Sequence, residues 1–156
     1  MQLLTLTTIA NGTPVIAQKL FGEIGSQPLD MGWKWRDKRP LFGHAKTLRG
    51  VILDVLCPWA FAPLLGVRWT VGLVAGLAAM AGDLLSSFIK RRLALAASSR
   101  ATGIDQIPES FLPAIACASN LQLSWLDIIA TTTIFFVGEI VISKILYRLH
   151  IHARPF

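Results

Sequence analysis

Asp83, Ser86, Ser87 and Lys90 recur at i, i+3, i+4 and i+7 in the segment Gly82-Asp83-Leu84-Leu85-Ser86-Ser87-Phe88-Ile89-Lys90-Arg91-Arg92. In an α-helix that spacing puts all four on one face. A carboxylate there can hold a hard cation such as Mg²⁺, while Lys90 and Arg91 bring positive charge to phosphate oxygens. The competing reading is a capping ion pair between Asp83 and a neighbouring base. The setting favours chemistry. An ionised acid within an apolar run costs about 2.5–3.5 kcal/mol on insertion scales, which makes it a functional candidate by default.

A second polar segment supplies complementary groups. It reads Leu29-Asp30-Met31-Gly32, then Arg36-Asp37-Lys38-Arg39-Pro40-Leu41-Phe42-Gly43, then Lys46-Thr47-Leu48-Arg49-Gly50. Asp30 and Asp37 are of the metal-ligating type. Arg39, Lys46 and Arg49 can neutralise a polyphosphate, arginine through a planar fork and lysine as a mobile point charge. Gly43 and Gly50 permit close backbone approach or a positive φ. By itself, such a charge run also describes an ordinary solvated loop. Gly43-His44-Ala45-Lys46-Thr47 is not a P-loop, because Pro40 and Ala45 stand where that motif needs glycine.

Three further features belong to the same inventory. Asp105, between Gly103 and Pro108, reads equally well as a ligand or as a helix N-cap. Asn11, beside Gly12 and Pro14, is expected to mark a helix break whose freed polar groups face protein or a wet cavity. Asp54 and Glu139 are intramembrane acids that rank below Asp83. Nothing resembles a nucleophilic triad. Direct phosphoryl or nucleotidyl transfer requires none, since positioning and charge neutralisation suffice.

The elements that must carry these residues are apolar. Of 156 residues, 53% are hydrophobic and 15% charged, with a mean hydropathy of +0.56, whereas soluble domains are roughly one quarter charged. An all-α integral membrane protein of one domain, residues 1–156, is expected. Five spans are drawn at residues 3–20, 51–67, 69–89, 107–123 and 125–147, of which the third and fifth reach the roughly 20 residues a crossing needs. The third carries Gly72, Gly76, Ala79 and Gly82, small residues that let its backbone approach a neighbour. Cys57 and Cys117 lie in apolar runs without metal spacing and are expected to be free. No basic stretch precedes the first apolar run, so no cleavable signal peptide is expected.

Charge sets the orientation. Of the 15 basic residues, seven lie within residues 19–49, four within 90–100 and three within 144–154, leaving Arg68 alone. In a five-span topology those fourteen share one side, which the positive-inside rule assigns to the cytosol together with both polar loops and the C-terminus. The N-terminus and the turns near Arg68 and Ser124 then face outward, with Trp69 and Trp125 as interfacial aromatics. The net charge of +6 is thus a topology signal, with a second use in holding anionic substrate or headgroups. No nucleic-acid partner is expected.

Taken in order, the motifs resemble those of the CDP-archaeol synthases, small polytopic membrane cytidylyltransferases. The resemblance runs from Ala10-Asn11-Gly12-Thr13-Pro14-Val15 through Leu29-Asp30-Met31-Gly32, Asp37-Lys38-Arg39-Pro40-Leu41-Phe42-Gly43 and Lys46-Thr47-Leu48-Arg49-Gly50. It continues through Gly82–Arg92 to Asp105-Gln106-Ile107-Pro108-Glu109-Ser110. It implies five transmembrane helices and two cytosolic loops enclosing a CTP·Mg²⁺ site. It also implies transfer of a cytidylyl group from CTP to a membrane lipid phosphate, giving a CDP-lipid and pyrophosphate.

By motif position, Asp83 and Asp105 become the metal candidates. Asp83, Lys46 and Lys90 become the catalytic candidates. Asn11, Asp30, Arg39, Lys46, Thr47, Arg49, Ser87, Lys90 and Arg91 become nucleotide and phosphate ligands. Lys38 departs from the family's usual glycine, Leu48 from a common tryptophan and Ala45 from a small residue such as glycine. Other acceptors compatible with the same fold are phosphatidic acid and a polyprenyl-type phosphate. A transporter or scaffold subunit is the non-enzymatic alternative. Clustering of the polar residues on one side, rather than at matched depths, disfavours a permeation path.

Overall fold

The computed structural model describes residues 1–96, 101 and 103–148. Arg100, His150, His152 and Arg154 lie outside them. Helices account for the regular structure, as expected: α1 (Gln2–Phe21), α2 (Leu48–Phe61), α3 (Trp69–Arg92), α4 (Gln106–Ala116) and α5 (Trp125–Arg148), with one 3₁₀ turn at Pro63–Leu65. α3 and the Trp125–Lys144 part of α5 are long and apolar enough to cross a bilayer.

Two expectations need correction. α1 does not break at Asn11–Pro14 but runs unbroken through Pro14. Proline removes a single N–H from the ladder, the one that would reach the Ala10 carbonyl, and the turns on either side stay helical. The helix within residues 107–123 is also shorter than drawn, ending at Ala116 after 11 residues. At 1.5 Å per residue it rises only about 16 Å, roughly half the hydrocarbon thickness. Turns through Ser119 and Asn120, residues that favour them, lead on to α5.

The apolar core sits at one end of the bundle. Leu3 and Leu6 of α1, Ala62 after α2, Val71 and Ala75 of α3, Ala114 and Cys117 at the end of α4 and Ile128 of α5 pack together. Cys57 and Cys117 are free. Large apolar side chains cover the outside instead, among them Leu77 and Leu85 on α3 and Ile129, Ile134 and Val141 on α5. An outward-facing apolar surface is what a lipid environment selects.

α3 is the spine, and its glycines set the helix spacing. A Cβ on Gly72 would stand 2.3 Å from the Pro58 carbonyl oxygen, and one on Gly76 would stand 2.7 Å from that of Asp54. A Cβ on Gly82 would stand 2.3 Å from the Pro108 oxygen and 2.8 Å from the Glu109 nitrogen. The small-residue stripe therefore brings α2 onto one side of α3 and the first turn of α4 onto another, as its spacing predicts.

Candidate active site

At the end opposite the apolar core, α3 carries a buried polar face. Asp83, Ser86, Ser87 and Lys90 are all buried, which places the four on one inward face as their spacing requires. Gly82 admits the α4 turn bearing Glu109 beside Asp83, and Gly76 admits the stretch of α2 bearing Asp54. Three carboxylates on three helices thereby converge. The Glu109 carboxyl is within hydrogen-bonding reach of Asp83.

A cation faces them. The Lys46 ammonium, from the loop ahead of α2, donates to both carboxylate oxygens of Asp83. Burial alone would push that ammonium's pKa down, but the Asp83 carboxylate together with Glu109 and Asp54 outweighs it and holds Lys46 above its ordinary value. Lys46 therefore stays charged. A cavity of about 240 Å³ opens here, with Asn11, Lys46, Thr47, Arg49, Asp54, Asp83, Glu109 and Glu139 among its lining residues. Two polar atoms on its walls, Asn11 Nδ2 and Asp54 Oδ1, are buried and meet no hydrogen-bond partner among the described residues. Buried orphans of this kind are uncommon, and each calls for a partner at that place, a water, an ion or a ligand.

The candidates divide into two groups. Asn11, Lys46, Thr47, Arg49 and Asp83 line the cavity. Thr47 also caps α2, its hydroxyl accepting from the Gly50 N–H at 3.1 Å. Arg49 donates to the Gly22 carbonyl at 3.0 Å and to that of Ile24, fastening the segment after α1. Asp30, Arg39, Ser87, Lys90, Arg91 and Asp105 are not among the lining residues.

Each of these others, apart from the buried Ser87, has a visible bonding role elsewhere. Asp30 accepts from the N–H groups of Gly43 (2.8 Å), Phe42 (3.0 Å) and Gly32 (3.2 Å). Burial works to raise its pKa, yet these backbone donors together prevail and hold it below the ordinary carboxylate range. Arg39 donates to the Arg92 carbonyl at 2.6 Å. Lys90 pairs with Asp105 at 2.8 Å, and Arg91 donates to the Ala96 carbonyl at 2.7 Å. Asp105 makes no N-cap bond; instead it accepts from the Ala101 N–H at 3.1 Å.

Sequence reasoning did not single out Glu109 and ranked Asp54 and Glu139 below Asp83; all three line the cavity. The signal was present, since each is an acid on an apolar helix. Their convergence depended on how α3 spaces its neighbours.

A divalent cation fits part of this arrangement. Mg²⁺ takes one or two protein carboxylates and completes its shell with water and substrate oxygens. Asp83 with Glu109 in reach provides that pair, and the unpartnered Asp54 Oδ1 lies on the same wall. Among the described residues, no group of three or more His, Cys, Asp or Glu could hold a metal ion on its own. The expected pair Asp83 and Asp105 is divided, because Asp105 is engaged by Lys90 away from the cavity lining.

Fold and site together define a class: a helical membrane protein with a buried ionic cavity at one end of its bundle. Residues 3–156 match the CarS-like, CDP-archaeol synthase family model. The CDP-archaeol synthase of Sulfurisphaera tokodaii is 33% identical over 135 residues, covering 83% of this chain and 81% of the relative. That of Pyrococcus furiosus is 38% identical over 109 residues, covering 62% and 60%. The solved structure of an intramembrane enzyme for archaeal membrane lipid biosynthesis superposes with a TM-score of 0.66 at 29% identity, covering 90% of this chain and 89% of that one. This chain belongs to the CDP-archaeol synthase family.

Proposed function

We propose that this protein transfers the cytidylyl group of CTP to an archaeal-type diether glycerol phosphate lipid, giving a CDP-lipid and pyrophosphate. The observation that carries this reading is the Lys46–Asp83 pair, set among Glu109, Asp54 and Glu139 in one cavity, in a chain of this family. In the reaction an oxygen of the lipid phosphate bonds to the α-phosphorus of CTP. The bond from that phosphorus to the bridging oxygen breaks, and pyrophosphate leaves with the electron pair.

The residues supply position and charge. Lys46, held cationic by Asp83, is the fixed positive charge nearest the phosphates, and Arg49 adds a second at the rim. The unpartnered Asn11 amide donates to a substrate oxygen. Asp83 and Glu109 are the carboxylates that would hold Mg²⁺, which when bound neutralises charge on the α- and β-phosphates. The ion pair between Lys90 and Asp105 holds the start of α4 against α3. At about 240 Å³ the cavity falls below the roughly 300–1,000 Å³ of drug-sized ligand sites. It therefore takes the triphosphate end, and the remainder of the nucleotide lies toward the loops.

All five helices are embedded in this reading, with both polar loops and the basic ends of α3 and α5 toward the cytosol. CTP arrives from the aqueous side and the lipid from the bilayer. Competition between the diether lipid phosphate and phosphatidic acid, offered together with α-labelled CTP to the purified protein, tests the acceptor assignment. Preferential labelling of the ether lipid supports it, and preferential labelling of phosphatidic acid overturns it.

A further inference from the structure

The loop between α1 and α2 folds back on itself as a short hairpin. Lys34 and Pro40 form an antiparallel bridge. The N–H of Trp35 donates to Arg39 at 2.8 Å, that of Lys38 to Trp35 at 2.9 Å and that of Leu41 to Trp33 at 3.0 Å. Side chains alternate along an extended segment, so Trp33 and Trp35 share one face with Lys34 on the other, while Arg36 lies in the turn and Lys38 in the bend that follows.

The hairpin is fastened to the end of α3. Arg92 pairs with Asp37 at 3.1 Å and donates to the Pro40 carbonyl at 2.6 Å, while Arg39 donates back to the Arg92 carbonyl. Trp35 meets the Phe88 ring edge-on with centroids 5.6 Å apart, and the Arg92 guanidinium lies 4.8 Å over the same ring. Phe88 continues an outward stripe on α3 through Leu77 and Leu85, which are 52% and 45% exposed. The aromatic face of the hairpin thus prolongs the lipid-facing side of α3 beyond its last turn.

What the hairpin presents there is amphipathic. Trp33 is 75% exposed, and Met31 beside it is exposed as well. Lys34, Arg36 and Lys38 are exposed too. Asp37, the one acid among residues 31–41, is taken by Arg92. Tryptophan favours the headgroup level, and juxtamembrane lysine and arginine attract anionic lipid.

We infer that the 33–41 hairpin is a preordered interfacial foot that binds anionic lipid headgroups, with Trp33 at the headgroup boundary and Lys34, Arg36 and Lys38 on the lipid phosphates. Since the hairpin is pinned to the helix bearing Asp83, the foot gathers anionic lipids beside the cavity. Its lipid contact is independent of which nucleotide the cavity takes.

Tryptophan quenching by brominated lipid tests this with the full-length protein in vesicles, the difference between wild type and Trp33→Phe isolating Trp33. Brominated phosphatidylglycerol and brominated phosphatidylcholine are compared at equal mole fraction. The expected result is that the Trp33 signal is quenched at least about twofold more by the anionic lipid. The variant K34Q/R36Q/K38Q then brings the two lipids level without moving the thermal unfolding midpoint. Equal quenching by the two lipids in wild type overturns the inference. So does a Trp33 signal that neither lipid quenches, which would place the surface in water, facing a soluble partner. Neither readout involves nucleotide transfer, so failure here and failure of the proposed reaction are distinguishable.

Discussion

The Lys46 ammonium bridges both carboxylate oxygens of Asp83, tying the loop ahead of α2 to the polar face of α3. Both side chains are largely shielded, at 24% and 12% exposure. Removing one partner strands the other charge, which in buried pairs costs about 3–5 kcal/mol. Asp83→Asn and Lys46→Met should therefore each lower the thermal unfolding midpoint in detergent. The double variant K46M/D83L, with neither charge, should recover most of that loss while remaining inactive. Additive destabilisation in the double variant would show that the two residues do not act as a pair.

Gly82 sets how near Glu109 comes to Asp83. In Gly82→Ala the new methyl meets the Pro108 carbonyl, and overpacking of this kind costs about 1–3 kcal/mol. Transfer activity should fall further than stability, because the shift moves Glu109. Gly12→Ala is the control, as nothing lies within 4 Å of its added Cβ. That change should stabilise α1 by about 0.5–1 kcal/mol. Melting curves and turnover for the two variants check the contrast.

Lys38 stands where the resemblance leads one to expect glycine, and its φ is +61°, a conformation that glycine adopts without steric cost. Lys38→Gly should relieve strain at the hairpin turn by about 0.5–1 kcal/mol, less than the full left-handed penalty because glycine also gains freedom when unfolded. Slower proteolysis of the loop is the expected readout. Unchanged or faster cleavage would contradict it.

Asp30 makes the first loop sensitive to acid. Its folded pKa lies below the ordinary value, so as pH falls the unfolded chain takes up the proton first. The Asp30 contribution is therefore complete above the ordinary carboxylate pKa of about 3.9 and is lost as pH falls through the lower folded value. Asp30→Asn should cost about 1.5–3 kcal/mol at neutral pH and flatten the acid limb of the stability profile. An unchanged limb would mean that the Gly43, Phe42 and Gly32 bonds do not hold the loop.

The sequence revealed the helices better than the site. The glycine stripe of α3 was readable because a small-residue period has one structural consequence, close approach. Pro14 misled, because a proline signals a lost hydrogen bond but does not say whether the helix bends. The short α4 misled in the opposite way: its apolar composition continues past Ala116 while its backbone does not. Lys46 and Asp83 were identifiable from charge type and setting. That Lys46 closes on Asp83, and Lys90 on Asp105, was not, because loop residues carry no periodicity that fixes their reach. Glu109 joins Asp83 only through the contact at Gly82, a relation between helices that no local pattern encodes.

Cytidylyl transfer in the Lys46–Asp83 cavity makes Asp83 indispensable to turnover. The most direct test is incorporation of α-labelled CTP into ether lipid phosphate by the purified protein, with wild type and Asp83→Asn run side by side and both shown to be folded. Wild type should give an EDTA-sensitive CDP-lipid, and the variant should lose about 10²-fold or more of that activity, the scale on which charge-stabilising groups act. A folded wild-type protein that labels no lipid, or an Asp83→Asn protein that turns over as wild type does, would contradict it.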